Sequence, residues 1–193
     1  MVLTQQYMKD KMKTVKLSNS DVRSMTMDII RHMTLINYIP DYIVGITRGG
    51  LVPALLISQY YGKPMNTLRV SLRDHPDTEC NAWMSEDAFG YTDHETQNMT
   101  KSRWDITKRK NILIVDDIND TGATLEWIKK DWQSSCLPNE IAAWDSIWHH
   151  NVKFAVLVNN EASDFPRIDF CSTDINNVEE PQWIQFPWEN WWK

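Results

Sequence analysis

A cluster of acidic residues follows a short apolar run near the middle of the chain and stands directly before a run of small hydroxyl residues. The apolar run is Ile112–Val115, and the polar residues after it are Asp116, Asp117, Asp120, Thr121, Gly122 and Thr124. The free N–H groups and positive dipole of a helix start suit a phosphate, and a glycine lets the backbone approach it. Carboxylates would repel a bare phosphate, so the ligand must also carry hydroxyl groups or a metal. A phosphorylated sugar bound with Mg²⁺ satisfies both requirements.

The alternative is a solvated acidic turn that only caps a helix. Asp and Thr are common at such positions, but the full strand–DDxxDTGxT–helix order favours a ligand site. A second candidate is Thr47–Gly50, the sequence TRGG, after the apolar run Tyr42–Ile46. Its glycines allow backbone N–H groups to face an anion, and Arg48 supplies a fixed charge. By itself, RGG after a strand is more often a tight turn than a site.

The elements that must position these residues alternate between strand and helix patterns. The predicted strands are 42–46, 65–72, 112–115 and 152–158, with a last one at 168–170. The predicted helices are one capped by Ser20 with an apolar stripe to Ile36, then 51–61, 123–133 and a short one in 138–148. This alternation predicts an α/β fold, an open parallel sheet flanked by helices on both faces. In such sheets, ligands bind at the carboxyl ends of the strands.

Composition narrows the classes of protein. The 193 residues favour one domain, and the net charge of −6 argues against nucleic acid as a partner. The longest uninterrupted apolar run, 51–57, has seven residues, whereas about 20 are needed to span a bilayer, so no membrane segment is expected. No secretory signal is visible, and the scattered cysteines at 80, 136 and 171 indicate neither disulfides nor zinc. We therefore expect a cytoplasmic protein.

Three segments lie outside the regular pattern of the single domain 1–193. Residues 1–17 are expected to form a loosely docked N-terminal arm. Residues 74–108, here called the lid, show no sustained period and are expected to be an irregular, mobile loop that closes over a ligand. The competing expectation is that Trp83, Phe89 and Trp104 anchor this segment permanently. Residues 174–193, here called the hood, contain four of the ten tryptophans and must pack against something.

Three motifs in the same order carry a resemblance to a known family: TRGGLVPA at 47–54, VDDINDTGAT at 115–124 and QWIQFPWE at 182–189. The second resembles the phosphoribosyl-pyrophosphate (PRPP) signature of the type I phosphoribosyltransferases. Together they resemble the bacterial xanthine-guanine branch of that family. The resemblance implies an Mg²⁺-dependent transferase that makes a nucleotide from PRPP and a purine base, most simply a 6-oxopurine, and releases pyrophosphate. It also implies a homo-oligomer, a dimer or a tetramer.

The resemblance also implies individual roles. Asp116 and Asp117 would hold the ribose hydroxyls, with Asp117 also contacting Mg²⁺, and Asp120 would be the catalytic general base. Trp183 and Ile184 would lie over the base. The residues that would bind PRPP are Arg48, Gly49, Asp116, Asp117, Ile118, Asn119, Asp120, Thr121, Gly122, Ala123 and Thr124.

The chain departs from the family at the end of the strand after the signature. Asn160 stands where the family has a lysine that recognises the purine 6-oxo group; an amide can donate a hydrogen bond there but brings no charge. The lid arginine that binds PRPP in the family has only Arg73 and Arg103 as candidates. Two alternatives stay open. One is an enzyme of the same fold for adenine or a pyrimidine. The other is a PRPP-sensing regulator that binds nucleic acid, against which the net charge argues.

Overall fold

The computed structural model describes residues 12–72, 77–91, 104–135 and 141–192. Its strands are β1 (Lys13–Lys16), β2 (Tyr42–Thr47), β3 (Met65–Ser71), β4 (Asp77–Thr78), β5 (Ile112–Asn119), β6 (Val152–Asn160), β7 (Phe170–Ile175) and β8 (Gln182–Gln185). Its helices are α1 (Asn19–Leu35), α2 (Leu51–Tyr61), α3 (Ala82–Phe89), α4 (Ala123–Ser135) and α5 (Ile141–Trp144), with a 3₁₀ turn at Ile106–Lys108.

The main sheet has six strands in the order β4–β3–β2–β5–β6–β7. All neighbours are parallel except β4, which pairs antiparallel with β3. The central strand β5 is buried on both faces from Ile112 to Val115, because helices cover each side. The predicted α/β fold, a parallel sheet flanked by helices, is confirmed.

Alternate residues of β5 belong to two separate apolar cores. Leu113 and Val115 pack with helices α1 and α2, whereas Ile112 and Ile114 pack with α3 and α4. The second core is unusually aromatic; its large rings are Trp132, Trp144, Trp148, Phe154 and Phe165. Helix α1 is capped by Ser18, which forms a capping box with Asp21, so the cap lies two residues before the predicted cap at Ser20.

The N-terminal arm is more firmly attached than the sequence indicated. Residues Lys13–Lys16 form β1, which pairs parallel with β8 in a two-stranded sheet, with Val15 opposite Ile184. The expectation of a loosely docked arm is therefore wrong for these residues. The alternation of polar and apolar residues in a four-residue strand is too short to be recognised from sequence alone, and its partner lies at the far end of the chain.

The lid segment is not irregular throughout. Residues 82–89 form α3, and its side chains Met84, Ala88 and Phe89 are buried in the aromatic core. The Trp104 ring packs edge-on against Phe89, with centroids 4.7 Å apart. The described part of the segment therefore fits the competing expectation of a packed element for Phe89 and Trp104, whereas the Trp83 side chain is 45% exposed. Residues 74–76 and 92–103 of the lid lie outside the described residues, as do both arginine candidates, Arg73 and Arg103.

The helices in the described parts of the chain are too short or too polar to cross a bilayer.

Candidate active site

A cavity of about 1070 Å³ lies at the carboxyl ends of β2, β3 and β5. Its lining comes from the end of β2 and the loop after it (47–49), the start of α2 (51–52), the end of β3 (70–72), the segment 116–125, and the hood at 183 and 188–192. The two motifs that the sequence analysis singled out therefore face one another across a single space. This is the edge of a parallel sheet at which α/β proteins bind their ligands.

The acidic cluster begins inside a strand rather than after it. Strand β5 continues to Asn119, and its ladder with β6 includes Asp116 opposite Val156 and Ile118 opposite Val158. The prediction that the strand ends at Val115 is wrong, because apolar patterning cannot show a strand that becomes polar where it leaves the core. Successive side chains of a strand point to opposite faces, so Asp116 and Asp117 address different parts of the cavity wall. The Asp116 carboxylate accepts a hydrogen bond from the Asp117 N–H at 2.9 Å.

The loop at Thr47–Gly50, here called the glycine loop, packs directly on the acidic end of β5. A Cβ at Gly49 would overlap the Asp117 carboxylate, and a Cβ at Gly50 would overlap the Val115 carbonyl and stand 2.9 Å from the Asp116 Cα. The peptide between Thr47 and Arg48 is cis. The Gly50 N–H donates to the Ile46 carbonyl at 2.9 Å, which closes the loop onto the end of β2. Only residues without a side chain allow this approach.

The electrostatics of the cavity are set by neighbouring carboxylates. The pKa of Asp117 is raised to about 6, mainly by burial and to a smaller extent by the negative charge of Glu189, while the hydrogen bond from the Ile118 N–H opposes the shift. Glu189 lines the same cavity from the hood. Glu189 is the last residue of the QWIQFPWE motif, and the sequence alone indicates no role for it. Two carboxylates from opposite walls that disfavour each other's charge form an arrangement that a cation would stabilise.

The turn that leads into helix α4 is built around Gly122. This residue has φ = +85°, and a Cβ there would stand 2.5 Å from the Phe165 N–H and 2.7 Å from the Ser163 hydroxyl. Helix α4 begins at the next residue, and the Thr121 hydroxyl accepts from the Ala123 N–H at 3.4 Å. The turn therefore directs the start of α4 toward the cavity, where unpaired helical N–H groups suit an anion.

The hood places its tryptophans unequally. Trp183 and Trp188 line the cavity, and the Trp188 ring stacks on Phe186 with centroids 5.0 Å apart. Ile184 is buried in the apolar core instead. Trp191 and Trp192 also border the cavity but are 77% and 65% exposed; of the two expectations for these rings, packing within the hood or at a subunit interface, the single chain therefore does not show the first.

Asn160 lies behind the acidic turn rather than in the cavity wall. Its side chain is buried and donates to the Asp120 carbonyl at 2.9 Å. Its oxygen accepts from the N–H groups of Ala162 and Asn177, at 3.2 and 3.1 Å. The structure thus brings the candidate PRPP-binding residues and Trp183 together around one cavity. Asn160 lies behind this wall and contacts it through its hydrogen bond to the Asp120 carbonyl. Asn119 is also turned inward, since its side chain donates to Asn159 at 2.9 Å.

Fold and site together define an α/β protein with a glycine-containing loop packed against an acidic strand end. The phosphoribosyl transferase domain matches residues 10–191, so the chain belongs to this family and is a phosphoribosyltransferase. It is 26% identical over 150 residues to the xanthine-guanine phosphoribosyltransferase of Cereibacter sphaeroides, covering 76% of this chain and 68% of the relative. The corresponding protein of Idiomarina loihiensis is also 26% identical, over 148 residues, with 76% and 70% covered.

Solved structures agree on the fold. A purine phosphoribosyltransferase of Pyrococcus horikoshii matches with a TM-score of 0.59 and 24% identity, over 93% of this chain and 96% of that one. The xanthine-guanine-hypoxanthine phosphoribosyltransferase of Helicobacter pylori matches with a TM-score of 0.59 and 18% identity, over 92% and 94%. At these identities the structures support the architecture alone.

Proposed function

We propose that the chain transfers the 5-phosphoribosyl group of PRPP to a 6-oxopurine base and releases pyrophosphate. The observation that carries this proposal is the contact between the two halves of the site, where Gly49 and Gly50 lie against the acidic strand end without room for a Cβ. One substrate with a pyrophosphate at one end and a ribose 5-phosphate at the other fits across this junction. The names of the relatives support the purine.

The reaction exchanges one bond at C1′ of the ribose for another. The C1′–O bond to pyrophosphate breaks and its electron pair leaves with pyrophosphate, while a ring nitrogen of the base forms the new C1′–N bond. As in glycoside cleavage, positive charge develops on the sugar in the transition state. The Asp120 carboxylate takes the proton from the ring nitrogen, and Arg48 with the loop N–H groups binds the departing pyrophosphate.

The donor set fits Mg²⁺. Asp117 and Glu189 present hard carboxylate oxygens at one place, and the raised pKa of Asp117 reflects in part the charge of Glu189. In the described residues no group of three or more metal-binding side chains occurs, so the remaining ligands would come from substrate oxygens and water. That is the usual way in which Mg²⁺ is held beside phosphates. When bound, the ion would neutralise charge on the leaving pyrophosphate.

The remaining parts of the proposal concern the setting. We expect a cytoplasmic homo-oligomer, a dimer or a tetramer. Support for association comes from large apolar side chains that the single chain leaves exposed, namely Leu35, Ile36, Ile39, Leu55, Tyr60, Trp191 and Trp192. Light scattering of the purified chain measures its mass directly, and a monomer would contradict this expectation.

A panel of free bases tests the reaction. Purified protein with PRPP and Mg²⁺ should release pyrophosphate with guanine, hypoxanthine or xanthine, and the nucleotide should form in equal amount. Adenine, orotate and uracil serve as the comparison. Release with one of these alone would contradict the 6-oxopurine and support another base on the same fold. Absence of release with every base would contradict the transferase proposal.

A further inference from the structure

The side chain of Asn160 joins three separate segments through backbone groups. Its NH₂ group donates to the Asp120 carbonyl at the end of the acidic turn. Its oxygen accepts from Ala162 in the following loop and from Asn177 at the base of the hood. Because all three partners are backbone groups, with fixed donor and acceptor character, they determine the orientation of the amide.

The same loop supports the turn at three further points. The Asp164 N–H donates to the Thr121 carbonyl at 3.2 Å, and Phe165 and Ser163 lie against Gly122 without space for a Cβ. The Ser163 hydroxyl donates to the Asn119 side chain at 3.0 Å. Residues 119–122 therefore rest on residues 160–165, and within that support the Asn160 side chain holds the backbone of Asp120.

We propose that Asn160 is a positioning residue that fixes the Asp120 backbone and thereby aims the Asp120 carboxylate at the base. The inference rests on the proposed function, in which Asp120 accepts the proton of the base. It assigns Asn160 no contact with the substrate, and it differs in this from the base-contacting role that the resemblance implied. A lysine has no acceptor atom, so it could not receive the two N–H groups that Asn160 receives here.

The test uses two asparagines at opposite ends of one strand. Asn160 is the last residue of β6, and Asn151 is the residue immediately before the first residue of this strand. The Asn151 side chain also donates to two carbonyls, those of Ala88 at 2.8 Å and Lys110 at 2.9 Å, but far from the cavity along the strand. Asn160→Ser and Asn151→Ser each remove one amide that forms side-chain hydrogen bonds to backbone groups, so both should lower the unfolding temperature by a few degrees.

Only Asn160→Ser should change the chemistry. Calorimetry first counts the sites that bind PRPP, so that kcat can be expressed per binding site. The kcat of Asn160→Ser should fall about tenfold to a hundredfold because the general base is misdirected. The KM for PRPP should change less than threefold. In Asn151→Ser, both kcat and KM should stay within twofold of the unmodified chain. If Asn160→Ser does not fold, Asn160→Asp, which keeps the volume and both acceptor contacts, replaces it.

A double-mutant comparison tests whether Asn160 acts through Asp120. In an Asp120→Asn background, the Asn160 substitution should cause less than a twofold further loss of kcat, since the group it positions has been removed. A full additional loss, or an unchanged kcat in the single variant, would overturn the positioning role and leave the proposed function intact. An unmodified chain that releases no pyrophosphate with any base would overturn the proposed function, and the inference with it.

Discussion

The two edges of the parallel sheet use polar residues in opposite ways. At the amino ends of the strands, polar groups form hydrogen bonds with one another: the Tyr38 hydroxyl donates to the Ile112 carbonyl at 2.8 Å, and Asp169 accepts from His149 at 3.0 Å and from the Phe154 N–H at 2.9 Å. At the carboxyl ends, Asp117 and Glu189 line one cavity, and burial together with the charge of Glu189 raises the pKa of Asp117.

This difference distinguishes polar groups that stabilise the fold from polar groups that are available to bind a ligand. Hydrogen bonds that close within the chain satisfy buried groups and need nothing further. Carboxylates that disfavour each other's charge are stabilised only when a ligand or cation arrives, so they mark the end of the molecule where binding energy is available. Substitutions at the two ends should accordingly affect different measurements: stability at the amino end, and binding and turnover at the carboxyl end.

The largest effect is expected for Gly50→Ala. Its Cβ would overlap the Val115 carbonyl, which is backbone and cannot move aside like a flexible side chain. The loop must then shift away from the acidic strand, and the two ends of PRPP lose their common site. We expect turnover to fall about 10³-fold or more, measured as pyrophosphate release.

The matched control is Gly62→Ala at the other end of the same helix. Gly62 has φ = +62° with open space around the Cβ position. Alanine there should cost about 1 kcal/mol of stability and leave turnover unchanged. Equal losses of activity in both variants would mean that the helix as a whole, rather than the packing of Gly50 on β5, governs the site.

Asp120→Asn should have the next largest effect. The amide keeps the size of the side chain but cannot take a proton, so turnover should fall about 10²-fold or more. PRPP should still bind, because the substitution leaves in place the backbone of residues 120–124, which we propose to hold its 5′-phosphate. Isothermal calorimetry and initial rates separate the two quantities. A near-normal rate would exclude Asp120 as the general base.

Asp117→Asn should act in opposite directions on stability and binding. The folded pKa of about 6 lies above the unfolded value of about 3.9, so the folded state holds this proton more tightly. The free energy of unfolding therefore falls as pH rises from about 4 to 6 and stays reduced above it. Removing the charge should stabilise the ligand-free chain by about 1–3 kcal/mol at pH 7.5, and by less at pH 5. Urea unfolding at both values measures this difference.

The same variant should bind PRPP about 10- to 100-fold more weakly when Mg²⁺ is present. Titrations with and without the metal give the comparison. Equal losses in both would show that Asp117 contacts the sugar rather than the metal. If the variant is less stable than the unmodified chain at pH 7.5, the Asp117 charge is not unfavourable in the folded state, contrary to the effect expected from burial and from Glu189.

Much of this architecture follows from local pattern. The continuous apolar runs at 112–115 and 152–158 predict buried parallel strands, and the DDxxDTG order predicts the site at their ends. Strand β1 and helix α3 were missed for a physical reason: each acquires its apolar face from partners distant in sequence. Val15 pairs with Ile184, and α3 depends on the aromatic core for its burial.

The site was predictable in its motifs but not in its supports. Glu189 carries no pattern that distinguishes it from a solvated acidic residue until the hood places it opposite Asp117. Asn160 looked like a group that addresses the base, because alignment gives position along a strand but not the direction of a side chain. The three backbone partners of its amide come from three segments, and only the fold brings these together.

The smallest effect is expected for Trp183→Leu. Trp183 lines the cavity beside the acidic turn, and a flat ring there offers a stacking surface that leucine lacks. Stacking of a base on an aromatic ring contributes roughly 1–3 kcal/mol, so the KM for the base should rise about tenfold while the KM for PRPP stays constant. Trp192→Leu is the control, because that ring borders the same cavity but is 65% exposed. Steady-state rates with either substrate varied distinguish the two. If Trp192→Leu raises the KM for the base and Trp183→Leu does not, the base lies under the exposed end of the hood rather than against Trp183.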